Sequence, residues 1–491
     1  MKKSFLFVLL FLVSCASAPI VTGDGIVEPS LAEVSGISSE LLREARKKPE
    51  WNLFDLYALA VESSDKLAIR YEKVRQAEAK KGLAFSMFLP TLSYRNQKSE
   101  FYPNPADRQE SERNKQLAYS IAGVPSAYLP LLSSTGSTGS SLPPTLRSGQ
   151  RLVLHVPIFT GLSEYSAYAT AKSEIRVRKL EMSQEAMLLL TDLSQAYYTI
   201  LLLEKSLLHK YEIQKLTKEL ISEYKRRVNL GQARNSELAS IQARLATYEA
   251  EIFSIQQQIK AGKEKISFLC NVANADPKLK DDVMIKEPDF SLDEAIDKLE
   301  DRVDVRTAKA SLGLANEKVM AAKGGLLPNV FIDAQYNIAQ GNTKSSVFAQ
   351  FVFELPLFSG GRTIFAISEA SSIKKEAELF LKNTIRSGVE EIRRTYSAYR
   401  TGINEVEAYK VALDSAEKSH RLMQKDFRNK IVNSLELLNS LTSLAQARES
   451  YDRAFLQNKL NRVLLGIVTG ELPSGAKNWK SEGITNNEKK K

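Results

Sequence analysis

Histidine, cysteine and carboxylate side chains are the residues best suited to chemistry, and in this chain of 491 residues they form no catalytic arrangement. The three histidines, His155, His209 and His420, are widely separated, and no Cys or His pair has the short spacing of a metal site. No glycine-rich phosphate-binding loop is present either. His420 is near Glu417 and Asp426, but on a polar helix such neighbours are typical of surface pairing. The sequence therefore predicts a protein that is not an enzyme and needs no cofactor or metal.

The N-terminus has the features of a secretory signal peptide. Lysines at positions 2 and 3 precede an apolar run from Phe5 to Val13, which is too short to span a bilayer as a helix. The run ends in the sequence LVSC, which resembles the lipobox of bacterial lipoproteins, so we predict that Cys15 becomes an acylated, palmitate-bearing first residue. Ordinary cleavage after Ala16 or Ala18 is the alternative, although Pro19 makes the second of these sites unfavourable.

The remaining cysteine, Cys270, has no second thiol with which to pair. Export would permit disulfides, but acylation of Cys15 leaves none possible within the chain. Packing must therefore stabilise the fold.

The net charge of +10 does not indicate nucleic-acid binding. Lysine and arginine alternate with aspartate and glutamate along most of the chain, which is typical of solvated helix faces. Part of the positive excess lies in the C-terminal tail. We therefore predict no nucleic-acid partner.

No apolar stretch after the signal reaches the ~20 residues that a membrane helix needs. The best candidate, Ala186 to Leu203, is interrupted by Asp192 and Gln195. If the protein crosses a membrane, we expect it to do so with β-strands.

An internal repeat organises the chain. The sequence VPIFTG at 156–161 recurs as LPLFSG at 355–360, which is an offset of 199 residues. Upstream, Leu89-Pro90 matches Leu327-Pro328 at an offset of 238, because the first copy has the longer loop. Each copy is predicted to run helix, strand, loop, strand, long helix, tight turn, long helix.

The long helices carry apolar residues at alternating spacings of three and four, which predicts a coiled-coil seam. The seam residues are Ala186, Leu189, Leu193, Ala196, Ile200, Leu203 and Leu207 in one helix, and Leu238, Ile241, Leu245, Tyr248, Ile252, Ile255, Ile259, Gly262, Ile266 and Leu269 in the next. No proline occurs from Leu162 to Asn229, so this helix would be roughly 100 Å long at ~1.5 Å per residue.

The strand segments alternate between apolar and polar residues, as a membrane barrel requires. In one strand Val330, Ile332 and Ala334 alternate with Asp333 and Gln335. Four such strands cannot close a barrel, because the smallest membrane barrels have about eight strands and an open edge in lipid leaves backbone groups unpaired. The chain must therefore oligomerise. Two copies would give eight strands around a bore filled by side chains, whereas three copies would give twelve strands with room for a pore. A soluble β-meander is the alternative.

These observations predict six segments. They are a signal peptide at 1–15; an extended segment at 16–50; a first repeat at 51–271, with strands at about 91–101 and 149–157, a surface loop at 102–147 and a helical hairpin at 162–270; a linker at 272–288; a second repeat at 289–470, with strands at about 329–338 and 346–356 and a hairpin at 361–468; and a charged tail at 471–491.

From Trp51 to Gly470 the chain resembles the TolC-like outer-membrane efflux proteins, including their lipoprotein subgroup. The most specific matches are the two strand-to-helix motifs, which contain Pro157 and Gly161 in the first copy and Pro356, Gly360 and Gly361 in the second. The opening WNLFDLYALA at 51–60 also resembles the family.

The resemblance implies a mainly α protein with a membrane β-barrel part. Long antiparallel coiled-coil helices would form a periplasmic α-barrel, and four strands per protomer would complete a twelve-stranded barrel in a homotrimer. The barrel would lie in outer-membrane lipid of a Gram-negative-type bacterium. The implied partners are a periplasmic adaptor (membrane fusion protein) and an inner-membrane transporter of the RND, ABC or MFS type.

The resemblance also implies functional sites at the hairpin tips. Residues Leu230, Gly231, Gln232, Lys430 and Ile431 would dock the adaptor, although Lys430 replaces the tip glycine that Gly231 provides in the first copy. A periplasmic gate would involve Glu436, with Asn439 where a second acid is common in the family, and Glu237 at the equivalent place in the first hairpin.

Stabilisation of a helix start is the other interpretation of Glu237 and Glu436, because both lie in the first turn of a predicted helix. Both roles remain open for Glu436 at this point.

We therefore expect a passive outer-membrane channel subunit of a tripartite efflux or type I secretion system. The alternative is a structural or adhesive coiled-coil envelope lipoprotein without pore activity.

Overall fold

The computed structural model describes residues 48, 50–100, 113, 117, 146–271, 278–281, 290–339, 344–429 and 431–470. Cys15, Lys430, the predicted signal peptide and the charged tail at 471–491 lie outside this part of the chain, as do most of the segments at 16–50, 102–147 and 272–288.

The described elements follow the predicted order. They are α1 (Leu53–Ser63), α2 (Asp65–Ser86), β1 (Thr91–Glu100), β2 (Leu146–Thr160), α3 (Ser163–Asn229), α4 (Asn235–Cys270), α5 (Leu292–Asp297), a 3₁₀ helix (Lys298–Asp301), α6 (Val303–Gly324), β3 (Asn329–Asn337), β4 (Ser346–Glu354), α7 (Arg362–Arg428) and α8 (Ser434–Thr469). The fold is thus mainly helical with four antiparallel strands, as the sequence predicts.

The two copies have helices of equal length. α3 and α7 each contain 67 residues, and α4 and α8 each contain 36. Both pairs are related by the offset of 199 (362 − 163 and 434 − 235). α2 and α6 each contain 22 residues and are related by the offset of 238 (303 − 65). The repeat therefore extends without insertion or deletion along every long helix.

The chain divides into two compact units. One comprises residues 1–76, 175–312 and 377–491, and its described residues are mainly helical. Its apolar residues form three clusters, and the residues of the predicted seams are all buried or half-buried. Their burial confirms the coiled-coil pattern, because a 3-4 spacing keeps one face of each helix against its neighbours.

Capping fixes the start of α1 within this unit. Asn52 Oδ1 accepts a hydrogen bond from Asp55 N at 2.7 Å, and Asn52 N donates to Asp55 Oδ2 at 3.2 Å. Such a capping box satisfies two backbone N–H groups that the helix leaves unpaired. The preceding Trp51 forms a short parallel bridge with Leu279. Seven of the eleven residues of α1 are buried.

α3 is apolar enough for a membrane span by length and composition alone, since one 18-residue window has a mean hydropathy of 1.4. The window is shorter than the ~20 residues that a membrane helix needs, so it does not contradict the expectation that no stretch qualifies. Of that window 44% is buried, and Leu190, Leu193 and Ile200 of α3 are almost fully buried in the helical core. Packing of α3 against other helices is therefore sufficient to explain why this window of α3 is apolar.

The second unit comprises residues 77–174 and 313–376 and contains the sheet. Its strands form an antiparallel meander in the order β1-β2-β3-β4. β2 is longer than the predicted 149–157, because it has a partner strand on each side. β4 ends at Glu354 rather than at 356, and it has only β3 beside it.

Candidate channel elements: sheet, turns and hairpin tips

One face of the sheet is continuously apolar. The register places Leu154 opposite both Leu92 and Ala334, and Ile332 opposite both Val156 and Phe351. Phe351 on the edge strand β4 is 65% exposed. An apolar face that spans four strands and is left uncovered indicates an apolar surrounding such as lipid.

Polar side chains on the opposite face pair across strands. His155 Nδ1 and Asp333 Oδ1 are 2.7 Å apart, and the Nη2 atom of Arg151 donates to Gln97 Oε1 at 3.3 Å. Asn337 Nδ2 donates to Ser346 Oγ at 3.1 Å. These polar groups are suited to water, as the alternation predicts, although the apolar residues Val153, Phe331, Phe348 and Val352 lie on the same face.

The first strand-to-helix turn needs its glycine. The register shifts between Pro157 and Phe159, where the proline has no N–H to donate. Gly161 follows with φ +60°, and a Cβ built on it would lie 2.6 Å from the carbonyl oxygen of Gly324. Both the backbone conformation and the close approach of two backbones therefore require glycine here.

The glycines of the second strand-to-helix turn also have positive φ angles, but their Cα atoms are less crowded by neighbouring atoms. Gly360 and Gly361 have φ values of +61° and +83°. A Cβ on Gly360 would meet nothing within 4 Å, whereas one on Gly361 would lie 3.2 Å from the Phe365 ring. Pro356 lies in the segment between β4 and this turn.

The first hairpin tip is a tight reversal between α3 and α4. Gly231 adopts φ +68°, and its N–H donates to Val228 O at 2.9 Å. Gln232 N donates to Arg227 O at 2.8 Å, and the Leu230 side chain is exposed. These bonds satisfy carbonyls at the end of α3.

The second tip lies between α7 and α8. Ile431 N donates to Asp426 O at 2.9 Å, and the Ile431 side chain is exposed. Each tip thus presents one large apolar side chain to solvent.

Glu436 forms a capping box at the start of α8. Its N–H donates to Asn433 Oδ1 at 2.9 Å, and its Oε2 accepts from Asn433 N at 3.4 Å. Glu237, in the first turn of α4, lies in a different setting, because the N-cap residue Arg234 provides no side-chain cap. The helix-start interpretation therefore has a direct structural basis at Glu436.

Asn439 lies one turn beyond Glu436 and bonds to the first hairpin. Its Oδ1 accepts from Arg244 Nη2 at 3.2 Å. On the same side of α8, Tyr248 Oη and Thr442 Oγ1 are 3.2 Å apart. The sequence did not indicate a role for Arg244. Tyr248 was predicted only as a seam residue, although the hydroxyl of a tyrosine on an apolar seam usually finds a hydrogen-bond partner.

Further along the helices, a buried carboxylate joins α8 to α3. Asp452 accepts from Lys205 Nζ at 2.8 Å and pairs with His209 Nε2 at 2.7 Å. Burial acts to raise the pKa of Asp452, but the hydrogen bonds from His209 and Lys205 outweigh it and hold that pKa below its usual value.

His420 is not the surface residue that its polar neighbours suggest. It is buried, and its Nδ1 lies 2.9 Å from Ser440 Oγ. Burial, assisted by the charge of Arg448, lowers the pKa of His420. Glu417 pairs instead with Arg448, whose guanidinium also donates to Glu212 at 2.6 Å. The surface-pairing prediction was wrong for His420 because α7 turns this position toward α8.

Nothing among the described residues resembles a metal centre, since no group of three or more His, Cys, Asp or Glu residues is placed to hold an ion. Cys270 is buried, its thiol lies 3.5 Å from Leu56 O, and burial raises its pKa to about 12. Such a thiol is unreactive at neutral pH.

Comparison with known proteins agrees with this geometry. Residues 297–470 match the family described as "Outer membrane efflux protein". The outer membrane protein TolC of Escherichia coli is 23% identical over 182 residues, which cover 34% of this chain and 37% of that protein. The alkaline protease secretion protein AprF of Pseudomonas aeruginosa is 24% identical over 137 residues, which cover 24% of this chain and 28% of AprF. The matched segments thus span well under half of either relative.

The fold is shared over a greater length. The crystal structure of the outer membrane protein VceC from Vibrio cholerae superimposes with a TM-score of 0.70 at 16% sequence identity, and the match covers 85% of this chain and 96% of VceC.

Proposed function

We propose that the chain is a member of the TolC-like outer-membrane efflux protein family, which it resembles in part of its sequence and in its fold, and that it is a subunit of an outer-membrane channel that passively conducts substrates from an inner-membrane pump to the outside. The family consists of channels and not enzymes, so the chain itself performs no chemical step. The pump would supply the energy, and the pore would conduct what the pump delivers.

The observation that carries this proposal is the four-stranded sheet with one exposed apolar face and two open edges. In lipid the unpaired N–H and C=O groups of β1 and β4 would each be costly, so a single sheet is not a stable membrane structure. Three copies give twelve strands and a closed barrel wide enough for a pore. We therefore propose a homotrimer.

The hairpin tips support the assignment of a periplasmic end. Leu230 and Ile431 are exposed apolar side chains at the turns of two long hairpins. We propose that these tips, with Gly231, Gln232 and Lys430, dock a periplasmic adaptor, which links the channel to an inner-membrane transporter of the RND, ABC or MFS type. The complete assembly would be a tripartite efflux or type I secretion system.

The contacts between α4 and α8 support a gate at the same end. Arg244–Asn439 and Tyr248–Thr442 hold the two hairpins together close to Glu436. We propose that opening the entrance separates these contacts and that three copies of Glu436 around one axis would attract cations. Asn439, which is uncharged, would add less to such a ring than an acid, and Glu237 is proposed as the gate residue at the equivalent place in the first hairpin.

Lipid anchoring is part of the proposal through Cys15, which lies outside the described residues. Acylation there would fix the N-terminus to the outer membrane, beside the barrel. Mass spectrometry of the mature N-terminal peptide tests this, and an unmodified peptide that begins after position 15 would contradict it.

Conductance of the purified full-length protein in a planar lipid bilayer tests the channel itself. We expect a trimer by sedimentation and stepwise conductance whose cation selectivity falls when Glu436 is neutralised. A protein that is monomeric in detergent and forms no pores would overturn the proposal.

A further inference from the structure

The strand pairing obeys one numerical rule. For nine of the ten β1–β2 pairs, all except Glu100–Leu146, adding 238 to the β1 residue and 199 to its β2 partner gives an observed β3–β4 pair, so that Thr91–His155 becomes Asn329–Glu354. At the other end of the ladder, Ser99–Arg147 becomes Asn337–Ser346. The rule reproduces the complete β3–β4 register, and the repeat therefore relates the strands pair by pair.

The same rule converts the β2–β3 pairing into a pairing of β4 with β1. This pairing cannot form within one chain, because β1 and β4 are the outer strands of the sheet. We propose that β4 of one protomer pairs with β1 of a second copy in the register that the repeat dictates, with Glu354 opposite Arg95. The inference rests on the proposed homotrimer and adds its interface.

Charge complementarity supports this register. The rule maps the observed pair His155–Asp333, in which the ring nitrogen and carboxylate oxygen are 2.7 Å apart, onto Glu354–Arg95. Acid and base exchange strands, yet the pair stays complementary. Within one protomer Arg95 lies directly opposite Arg151, an arrangement of like charges that is unfavourable across a strand pair. A carboxylate from the neighbouring strand would offset this repulsion.

The premature end of β4 also supports the register. β2 continues to Thr160 because Pro157, Phe159 and Thr160 still oppose residues of β3. Their equivalents at 356, 358 and 359 follow the end of β4 and belong to no strand.

The most exposed large apolar side chains of the described chain lie in that same segment. Leu357 is 89% exposed and Phe358 is 90% exposed, whereas the equivalent Phe159 is half-buried beside β3. The rule places Phe358 opposite Leu92, which is also exposed. Pairing with β1 of the next copy would extend β4 through this segment and cover it.

Cysteine pairs test the register in the full-length protein in its native membrane. Val352→Cys with Gln97→Cys corresponds to the observed pair Val153–Gln335. The matched control, Gln350→Cys with Gln97→Cys, is displaced by two residues on the same face of β4. An intrachain link is excluded, because β1 and β4 are separated by about 14 Å at ~4.8 Å per strand and a disulfide requires Cα atoms within about 7 Å.

We expect the Val352→Cys pair to give covalent dimers and trimers on a non-reducing gel, about tenfold more than the displaced pair. Single-cysteine variants give the background, and the buried Cys270 remains in all of them. Equal or stronger linking of the displaced pair, or no linking in a protein that sediments as a trimer, overturns this register and leaves the proposed function intact. A monomer without pores overturns both.

A charge exchange gives a second measurement. We expect Glu354→Arg to lower the temperature at which the trimer dissociates. Because Arg95→Glu also removes the repulsion between Arg95 and Arg151 within one protomer, we expect the double variant to recover more stability than Arg95→Glu adds on its own. A double variant that is no better than the sum of the two single changes would overturn the ion pair.

Discussion

At the scale of single residues, Glu436 has two candidate roles that one substitution separates. Glu436→Gln keeps a side chain that can complete the capping box with Asn433 but removes the negative charge. We expect this variant to retain the trimer's thermal stability and to lose cation selectivity in bilayer recordings. The matched variant Glu436→Ala should lose both. Unchanged selectivity in Glu436→Gln would mean that the residue acts only at the helix start.

Asp452 predicts a response to acid. Because its folded-state pKa is depressed, its contribution to stability is complete above the usual aspartate pKa and is lost as the pH falls through the folded-state value. We expect Asp452→Asn to be less stable than the wild type at neutral pH, since Lys205 and His209 lose their partner.

Thermal unfolding followed by circular dichroism from pH 7 to pH 3 measures this effect. The stability difference between the wild type and Asp452→Asn should shrink toward the acid end. A difference that stays constant over that range would contradict the assignment.

At the scale of elements, the contacts between α4 and α8 are expected to hold the entrance closed. Arg244→Ala removes the hydrogen bond to Asn439, so the two hairpins should separate more readily and the resting conductance should rise. Arg453→Ala is the matched control, because the ion pair of Arg453 with Glu449 lies within α8 alone. Equal conductance in the two variants would argue against a gate at these contacts.

The elements themselves follow from sequence patterns, whereas their side-chain partners do not. A 3-4 apolar spacing predicts α3 and α4, and alternation that only Phe331 interrupts predicts β3, because each pattern reports which face is apolar. The bond from Arg244 to Asn439 joins residues 195 positions apart, and no local pattern encodes such a pair. His420 illustrates the same limit, since its polar neighbours in sequence conceal a side chain that faces Ser440.

The residues at which the strands end could not be predicted from the sequence pattern either. The length of β2 depends on having a neighbour on both sides, which is a property of the sheet order and not of residues 146–160. The role of Glu436 stayed ambiguous for a related reason, because an acid in the first turn fits both a capping box and a gate.

At the scale of the whole molecule, the two faces of β4 should respond differently to the same charge. Phe351→Arg places a cation on the apolar face, where about 2–4 kcal/mol is expected at the middle of a bilayer. Gln350→Arg places it on the opposite, polar face of the same strand. We expect the first variant to reduce the amount of trimer in outer-membrane fractions strongly and the second to reduce it little. Similar losses in both would mean that the apolar face does not lie in lipid.

The matched lengths of the two hairpins limit how such a chain can evolve. Each added helical residue advances the helix by ~1.5 Å and turns all later side chains by about 100°. A one-residue insertion in α3 alone would therefore shift the first hairpin tip along the helix axis relative to the second tip. It would also rotate the apolar seam residues that follow the insertion away from the core. Length changes in the helices are tolerable only when both copies change together. By contrast, the connection between β1 and β2 (45 residues) is longer than the connection between β3 and β4 (8 residues) by 37 residues. The two copies thus differ in length in the loops at one end of the sheet, whereas their long helices have equal lengths.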